Sequence, residues 1–195
     1  MRLHSSRRIA IVRHGETDWN LARRIQGRTE IPLNETGRAQ ARAAVQLLAD
    51  GATGPGLAAW NGVRSSPMMR ALETATILAN GLDLAHPHVD DALMERDFGP
   101  AEGLLVAEAE RRWPGLDIPQ AEHPSALADR AANALLRALD EAPGTVVVAH
   151  GALIRSGLSL ISGEPLPRIM NCEVWILSME TNDAPRLSRL DPAIA

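Results

Sequence analysis

Residues 8–12 read Arg-Ile-Ala-Ile-Val, and residues 145–149 read Thr-Val-Val-Val-Ala. Both are nearly unbroken apolar runs, the pattern of strands buried on both faces of a parallel sheet rather than of strands with one wet face. Each run ends in His-Gly, at His14-Gly15 and His150-Gly151. After the first, Asn34 can cap a helix that carries Ala41, Val45 and Leu48 on one face, with a turn over 51–56. A second strand is expected over 58–64, followed by Ser65-Ser66-Pro67, with Ser66 as N-cap and Pro67 at the first helical position. Leu72, Ala75 and Leu78 then form a stripe facing the core. Residues 85–93 read as extended or looped and 102–113 as helical. Residues 125–141 form an amphipathic helix with Leu127, Ala131, Leu135 and Leu139 inside. Pro143-Gly144 turns the chain, a helix follows over 152–161, a strand over 172–179, and a short edge strand over 186–190. This alternation, with no linker or repeat, predicts one α/β unit.

The length of 195 residues and a hydrophobic share of 45% suit a single domain, 1–195, with a sizeable core. The net charge of -4 is spread over both signs and offers no basic face. Without an RNA-binding signature or a Cys/His zinc spacing, nucleic acid is not expected as a partner. The single cysteine, Cys172, excludes an intramolecular disulfide and fits a reducing compartment. The apolar run 9–12 after Arg7 and Arg8 is too short for a signal peptide or a membrane span, so the reading is cytoplasmic with no membrane partner. All 20 basic residues are Arg. That removes a Walker P-loop, a kinase ATP-binding lysine and a pyridoxal phosphate Schiff base, and the absence of Tyr removes a phenolic acid or base. Phosphate would have to be held by Arg, His and backbone amides.

His14 and His150 lie 136 residues apart at two strand-to-helix corners, which a parallel sheet can bring together at the carboxyl ends of its strands. Gly15 lets the backbone turn closely, and Arg13 offers a forked donor to phosphate oxygens. Arg70 falls in the first turn after Ser66-Pro67, where free amides and the helix dipole favour an anion, although a lone Arg on a helix more commonly faces solvent. Any of Asp90, Asp91, Glu95 and Asp97 could supply an acid.

Taken together, these blocks resemble the histidine phosphatase superfamily, whose members include cofactor-dependent phosphoglycerate mutases. The resemblance rests on Arg13-His14-Gly15-Glu16-Thr17 with Asn20, on residues 26–37, on Ser65-Ser66-Pro67-Met68-Met69-Arg70-Ala71, on residues 93–99 with Glu102-Gly103, and on residues 146–151. It covers most of the chain. It implies a phosphoglycerate mutase-like α/β fold, a three-layer α/β/α sandwich with a mostly parallel central sheet. By the same resemblance His14 is the nucleophile that forms a phosphohistidine, with Arg13, Arg70 and His150 neutralising the phosphoryl group. It is the resemblance that selects Glu95 as the acid and base, a role that suits a carboxyl group facing bound phosphate. Asn20, Gln26, Gly27 and Gly151 match substrate-binding positions beside Arg13 and Arg70. No metal or other cofactor is implied. Ala101 departs from the family, which often has an aromatic there, and the departure bears on the pocket wall.

The expected partner is a small phosphorylated substrate, and neither a monomer nor a homodimer is specified. Only 55 residues separate Glu95 from His150, shorter than the insertion of the resembling mutases, which favours a phosphatase of small phosphomonoesters over a mutase. A non-catalytic phosphate-binding or regulatory module is least expected, because all five core residues are present. His86 and His88 near Asp90 and Asp91 read as surface residues rather than a metal site. Trp19, Trp60, Trp113 and Trp175 read as packing. Glu108, Glu110, Arg111 and Arg112 read as a solvated helix face, with Arg111 and Arg112 alternatively reaching the pocket mouth.

Overall fold

The computed structural model describes residues 7–52, 59–180 and 183–191. Part of the turn expected over 51–56, and the first residue of the strand expected over 58–64, lie outside them. Six strands form one mixed sheet: β1 (Arg7–Arg13), β2 (Gly62–Ser65), β3 (His88–Val89), β4 (Thr145–Ala149), β5 (Val174–Met179) and β6 (Arg186–Leu190). Their order is β3-β2-β4-β1-β5-β6. The pairs β3/β2, β2/β4 and β4/β1 are parallel, whereas β5 pairs antiparallel with β1 and β6 antiparallel with β5.

The continuous apolar runs have the expected cause. Ile9 and Ile11 of β1 and Val147 and Ala149 of β4 face one core, closed by α5 (Pro124–Glu141) and α6 (Gly151–Ser162). Ala10 and Val12, with Val146 and Val148, face the other core, closed by α2 (Glu35–Gly51) and α3 (Met69–Gly81). Helices on both faces make the three layers, and each fully buried Val, Leu or Ile contributes about 1.5–3 kcal/mol. The sandwich is as expected, with two antiparallel strands at one edge of the parallel part.

Asn34 caps α2 by accepting from the Gly37 amide at 2.8 Å, and Ala41 and Leu48 lie inside. Two expectations fail locally. Ser66 is not the cap of α3: Met68 holds that position, and the helix begins at Met69 after Pro67. The expected helix over 102–113 shrinks to α4 (Val106–Arg112), because Gly103 turns at φ +85° and Glu102 reaches back to another loop. A short helix α1 (Asp18–Leu21) also follows β1, closed by a Thr17/Asn20 capping box. Among the described residues, no helix is long and apolar enough to cross a membrane.

Candidate active site

Sheet register assembles the centre. Arg13 pairs with Ala149 across β1 and β4, so the next residues, His14 and His150, leave adjacent strands side by side, with ring centroids 5.2 Å apart. The His14 amide still bonds the Ala149 carbonyl at 3.0 Å. Ser66 leaves β2 one position after Ser65, its amide on the Val148 carbonyl at 3.0 Å, and its hydroxyl meets His150 Nε2 at 2.8 Å. The Gly15 amide is fixed by Thr74 Oγ1 at 3.1 Å, and a side chain at Gly15 would collide with the Gly37 backbone, so this turn is packed against α2.

His14 is 2% exposed. Its Nδ1 lies 2.7 Å from the Gly15 carbonyl, which can only accept, so Nδ1 carries the proton and Nε2 keeps its lone pair. Arg70 Nε donates to that Nε2 at 3.3 Å. Burial, then the charges of Arg13 and Arg70, hold the His14 pKa well below the ordinary imidazole value, outweighing the Gly15 carbonyl. Burial also lowers His150, with Arg70, His14 and Arg13 adding to it. The Ser66 hydroxyl accepts from the Met68 amide and so has its own proton to give to His150 Nε2. His150 Nδ1 is buried without a partner.

The two arginines are held as rigid forks. Arg70, 1% exposed, donates Nη1 to the Thr29 carbonyl at 2.9 Å and Nη2 to the Gly27 carbonyl at 2.7 Å. Arg13 donates Nη1 to the Ile169 carbonyl at 2.8 Å, while its buried Nε has no partner. Burial lowers the Arg13 pKa to about 10, with Glu95 acting in the other direction, so it stays charged at neutral pH. The amide of Met69 at the start of α3 binds the Glu30 carboxylate at 2.9 Å, so that helix end already has its anion. Arg70 is therefore not an addition to a free helix terminus.

Glu95 is buried against the start of α6. Its Oε1 accepts from the Arg96 and Leu153 amides at 2.9 and 3.0 Å, and its Oε2 from the Ala152 amide at 3.1 Å. Oε2 thus keeps the greater capacity to carry and pass on a proton. Arg130 of α5, which sequence reading passed over, fixes this segment by bonding the Ala92 and Met94 carbonyls, both at 2.8 Å. Arg96 makes no ion pair with Glu95; it bonds the Glu122 and Leu116 carbonyls.

Arg13, His14, Asn20, Gln26, Gly27, Arg70, Glu95 and Gly151 all line one cavity of about 560 Å³. His150 lies behind His14, fully buried and off the cavity surface. Of the four candidate acids Glu95 lines it and Asp90, Asp91 and Asp97 do not; Glu110 lines it as well. Asn20 Oδ1 is occupied by the Thr17 amide and by Asn171 Nδ2 at 3.1 Å, and Asn171 also holds the His14 carbonyl at 2.9 Å. Gln26 Oε1 is buried without a partner. Gly27 sits at φ +53°, where a side chain would overlap the Glu102 carboxylate. That carboxylate holds the Arg28 and Thr29 amides at 2.8 and 2.9 Å, and so shapes the loop whose carbonyls grip Arg70.

Of the helix face read as solvated, Arg111 and Arg112 are exposed as expected, whereas Glu110 lines the cavity. Arg111 and Arg112 do not line the cavity, and Arg112 stacks on Trp113 at 4.5 Å. Arg23, Arg24, Arg155 and Arg168 line it instead. Arg155 was findable, since it is four residues after Gly151 on the same helix face. Arg23, Arg24 and Arg168 carry no local signal. Ala101 is buried with Ile25, Ala109 and Ile118 behind the wall, so the missing aromatic alters the packing there rather than the cavity surface. Among the described residues, no group of three or more His, Cys, Asp and Glu could hold a metal ion.

Comparison with known proteins agrees with the geometry. The family model of the histidine phosphatase superfamily (branch 1) matches residues 9–190. The chain is 40% identical over 157 residues to an uncharacterized phosphatase, PhoE, of Bacillus subtilis, covering 80% of this chain and 77% of the relative. It is 34% identical to phosphoglycerate mutase-like protein 4 of Arabidopsis thaliana, over 90% of this chain and 80% of that one. Among solved structures, a mycobacterial glucosyl-3-phosphoglycerate phosphatase complexed with VO3 superposes with a TM-score of 0.76 at 26% identity, covering 94% of this chain and 96% of that one.

Proposed function

Since the chain belongs to the histidine phosphatase superfamily, we propose that it is a metal-independent phosphatase that hydrolyses small phosphomonoesters through a phosphohistidine on His14. The observation that carries this reading is the uncharged His14 imidazole, with its Nε2 lone pair between Arg13 and Arg70 in a cavity that also holds Glu95. In the first step Nε2 attacks phosphorus and the bond to the ester oxygen breaks. Glu95 delivers its proton to that oxygen, so an alcohol leaves. In the second step Glu95, now a carboxylate, takes a proton from water as the water oxygen attacks phosphorus and the bond to His14 breaks, giving inorganic phosphate. Arg13 and Arg70 offset the charge on the phosphoryl oxygens throughout, and uncharged His150 has its unpartnered Nδ1–H left to donate to one of them. A guanidinium about 4 Å from a phosphoryl charge is worth on the order of 4 kcal/mol at an effective dielectric near 20, before desolvation.

The short segment between Glu95 and His150 supports hydrolysis over mutase chemistry. It contributes Phe98, Val106, Ala107, Glu110 and Leu116 to the cavity, and none of its arginines. Mutase activity is the second reading, supported by the other cavity arginines, which suit retention of a doubly charged intermediate. A cytoplasmic setting accords with the single, half-buried Cys172, whose thiol pKa burial pushes up to about 12.

The test compares phosphate release from a phosphomonoester panel with conversion of 3-phosphoglycerate to 2-phosphoglycerate primed by 2,3-bisphosphoglycerate, in wild type and His14→Ala, with and without EDTA. His14-dependent release, unaffected by EDTA, with an acid-labile phosphoenzyme is the expected result. Isomerisation with little release would establish the mutase. Activity of His14→Ala near wild type would overturn the nucleophile.

A further inference from the structure

Glu95 has to present its carboxyl group to the ester oxygen, yet the stretch of chain that carries it has little structure of its own. Between the single turn Asp91–Leu93 and the turn that begins at Gly99, residues 94–98 belong to no strand or helix. Such a stretch is held in place by what other parts of the fold offer to its backbone groups.

One ion pair supplies much of this hold. Arg130 of α5 donates Nε and Nη2 to the two oxygens of Glu122 at 2.9 and 2.8 Å, the forked geometry of a bidentate pair. With side chains 23% and 15% exposed, the two are largely withdrawn from water, unlike a surface pair. Arg130 Nη1 bonds the Ala92 and Met94 carbonyls, both at 2.8 Å, and Nη2 also reaches the Glu95 carbonyl at 3.5 Å. Glu122 grips the other end of the stretch. Its amide donates to the Asp97 carbonyl at 2.8 Å, its carbonyl accepts from Arg96 Nε at 2.9 Å, and its Oε2 accepts from the Asp97 amide at 3.3 Å. The backbone on both sides of Glu95 is thus bound to this pair, whereas the Glu95 carboxylate is bound by the Ala152 and Leu153 amides of α6. Neither Glu122 nor Arg130 lines the cavity.

We propose that Glu122 and Arg130 are positioning residues for proton transfer: the pair sets where the Glu95 carboxyl group stands against the leaving oxygen, without touching phosphate or ester. This rests on the phosphatase reading, with Glu95 as its acid, and adds a claim about what places that acid. Proton transfer needs heavy atoms within about 2.6–3.2 Å, and a displacement of about 1 Å can cost about 10²-fold in rate. Arginine suits the role because its planar fork spans a carboxylate and two carbonyls at once, which a lysine ammonium with the same charge does not.

The test measures kcat/KM for the best alkyl phosphate of the substrate panel and for p-nitrophenyl phosphate, in wild type, Arg130→Lys, Glu122→Gln, Glu95→Gln, and each of the first two combined with Glu95→Gln. A displaced acid harms departure of an alkoxide far more than departure of nitrophenolate. Arg130→Lys should therefore lower the alkyl rate at least tenfold more than the aryl rate. In the Glu95→Gln background the same substitution should cost less than threefold on the alkyl phosphate, because no acid is left to place. Glu122→Gln keeps the shape of its side chain and should show the same pattern to a smaller degree, and it carries the test if Arg130→Lys does not fold. Losses that are absent, equal on both substrates, or undiminished by Glu95→Gln would overturn the proposal, since a pair that only stabilises the fold would act alike on every substrate and background. Amide hydrogen exchange reads the placement without turnover. Arg130→Lys should speed exchange at Arg96, Ala152 and Leu153, whose amides bond the Glu95 carboxylate, at least tenfold, and leave the His14 amide, bonded to the Ala149 carbonyl, within twofold. Unchanged exchange at those three amides would also overturn it. Absence of His14-dependent turnover across the panel, with exchange still accelerated in this pattern, would overturn the phosphatase reading and leave the placement of Glu95 by the pair standing.

Discussion

Two fully buried imidazoles kept neutral by their surroundings make stability depend on pH in a calculable way. In the unfolded chain His14 and His150 take up protons near pH 6.5, whereas in the fold both pKa values lie well below that. Below pH 6.5 the unfolded state therefore binds more protons, and stability falls as pH falls. Each histidine contributes up to about 1.4 kcal/mol per pH unit in this window. Integrated from pH 7.5 to 5.0, with the folded imidazoles still neutral, the pair costs about 4 kcal/mol. That is a large part of the 5–15 kcal/mol typical of a domain. Carboxylates contribute lower down. Burial tends to raise the Glu122 pKa, but the hydrogen bond and charge of Arg130 more than offset this, so its contribution is lost only below about pH 4.5. Urea unfolding at pH 7.5, 6.5, 5.5 and 5.0 should be compared between wild type and His14→Gln/His150→Gln, in which all other groups cancel. The wild type is expected to lose about 4 kcal/mol more than the double variant over this range. Parallel stability curves would refute the argument, because they would mean that the two imidazoles titrate alike in the folded and unfolded states.

Glu95→Gln should slow an alkyl phosphate at least a hundredfold and an activated aryl phosphate far less, since only the alkoxide needs the proton; equal losses on both substrates would remove Glu95 as the acid. Arg70→Lys keeps the charge but loses the fork that spans the Gly27 and Thr29 carbonyls, so kcat/KM is expected to fall by about 10³ or more. A variant within tenfold of wild type would show that point charge suffices. Gly27→Ala forces a side chain into the Glu102 carboxylate at a left-handed backbone position. Its expected cost is about 1–3 kcal/mol in urea unfolding, together with weaker phosphate binding, and an unchanged unfolding midpoint would contradict the packing described.

What the sequence revealed and what it hid follow the range of the interactions involved. β1 and β4 were legible because burial on both faces leaves no polar alternation to obscure them, and Asn34 was legible because its bond to Gly37 is local. Ser66 is not the cap because α3 starts only at Met69, and its hydroxyl also bonds His150, 84 residues away. The helix expected from 102 begins at 106 because Glu102 is spent on a loop more than seventy residues earlier. Of the cavity residues, the eight that fall in the motif blocks, Arg13, His14, Asn20, Gln26, Gly27, Arg70, Glu95 and Gly151, could be named in advance. Arg168 could not, since it reaches the cavity only through the path that the Arg13 bond to Ile169 imposes on its neighbours.

The pairing of β1 with β4 also governs when chemistry can begin. His14 is synthesised well before its partner strand and His150, which come 136 residues later, and Asn171, which holds the His14 carbonyl, comes later still. Contacts of such sequence separation form late and cooperatively. A nascent chain therefore lacks the assembled pair of histidines until β4 docks between β1 and β2.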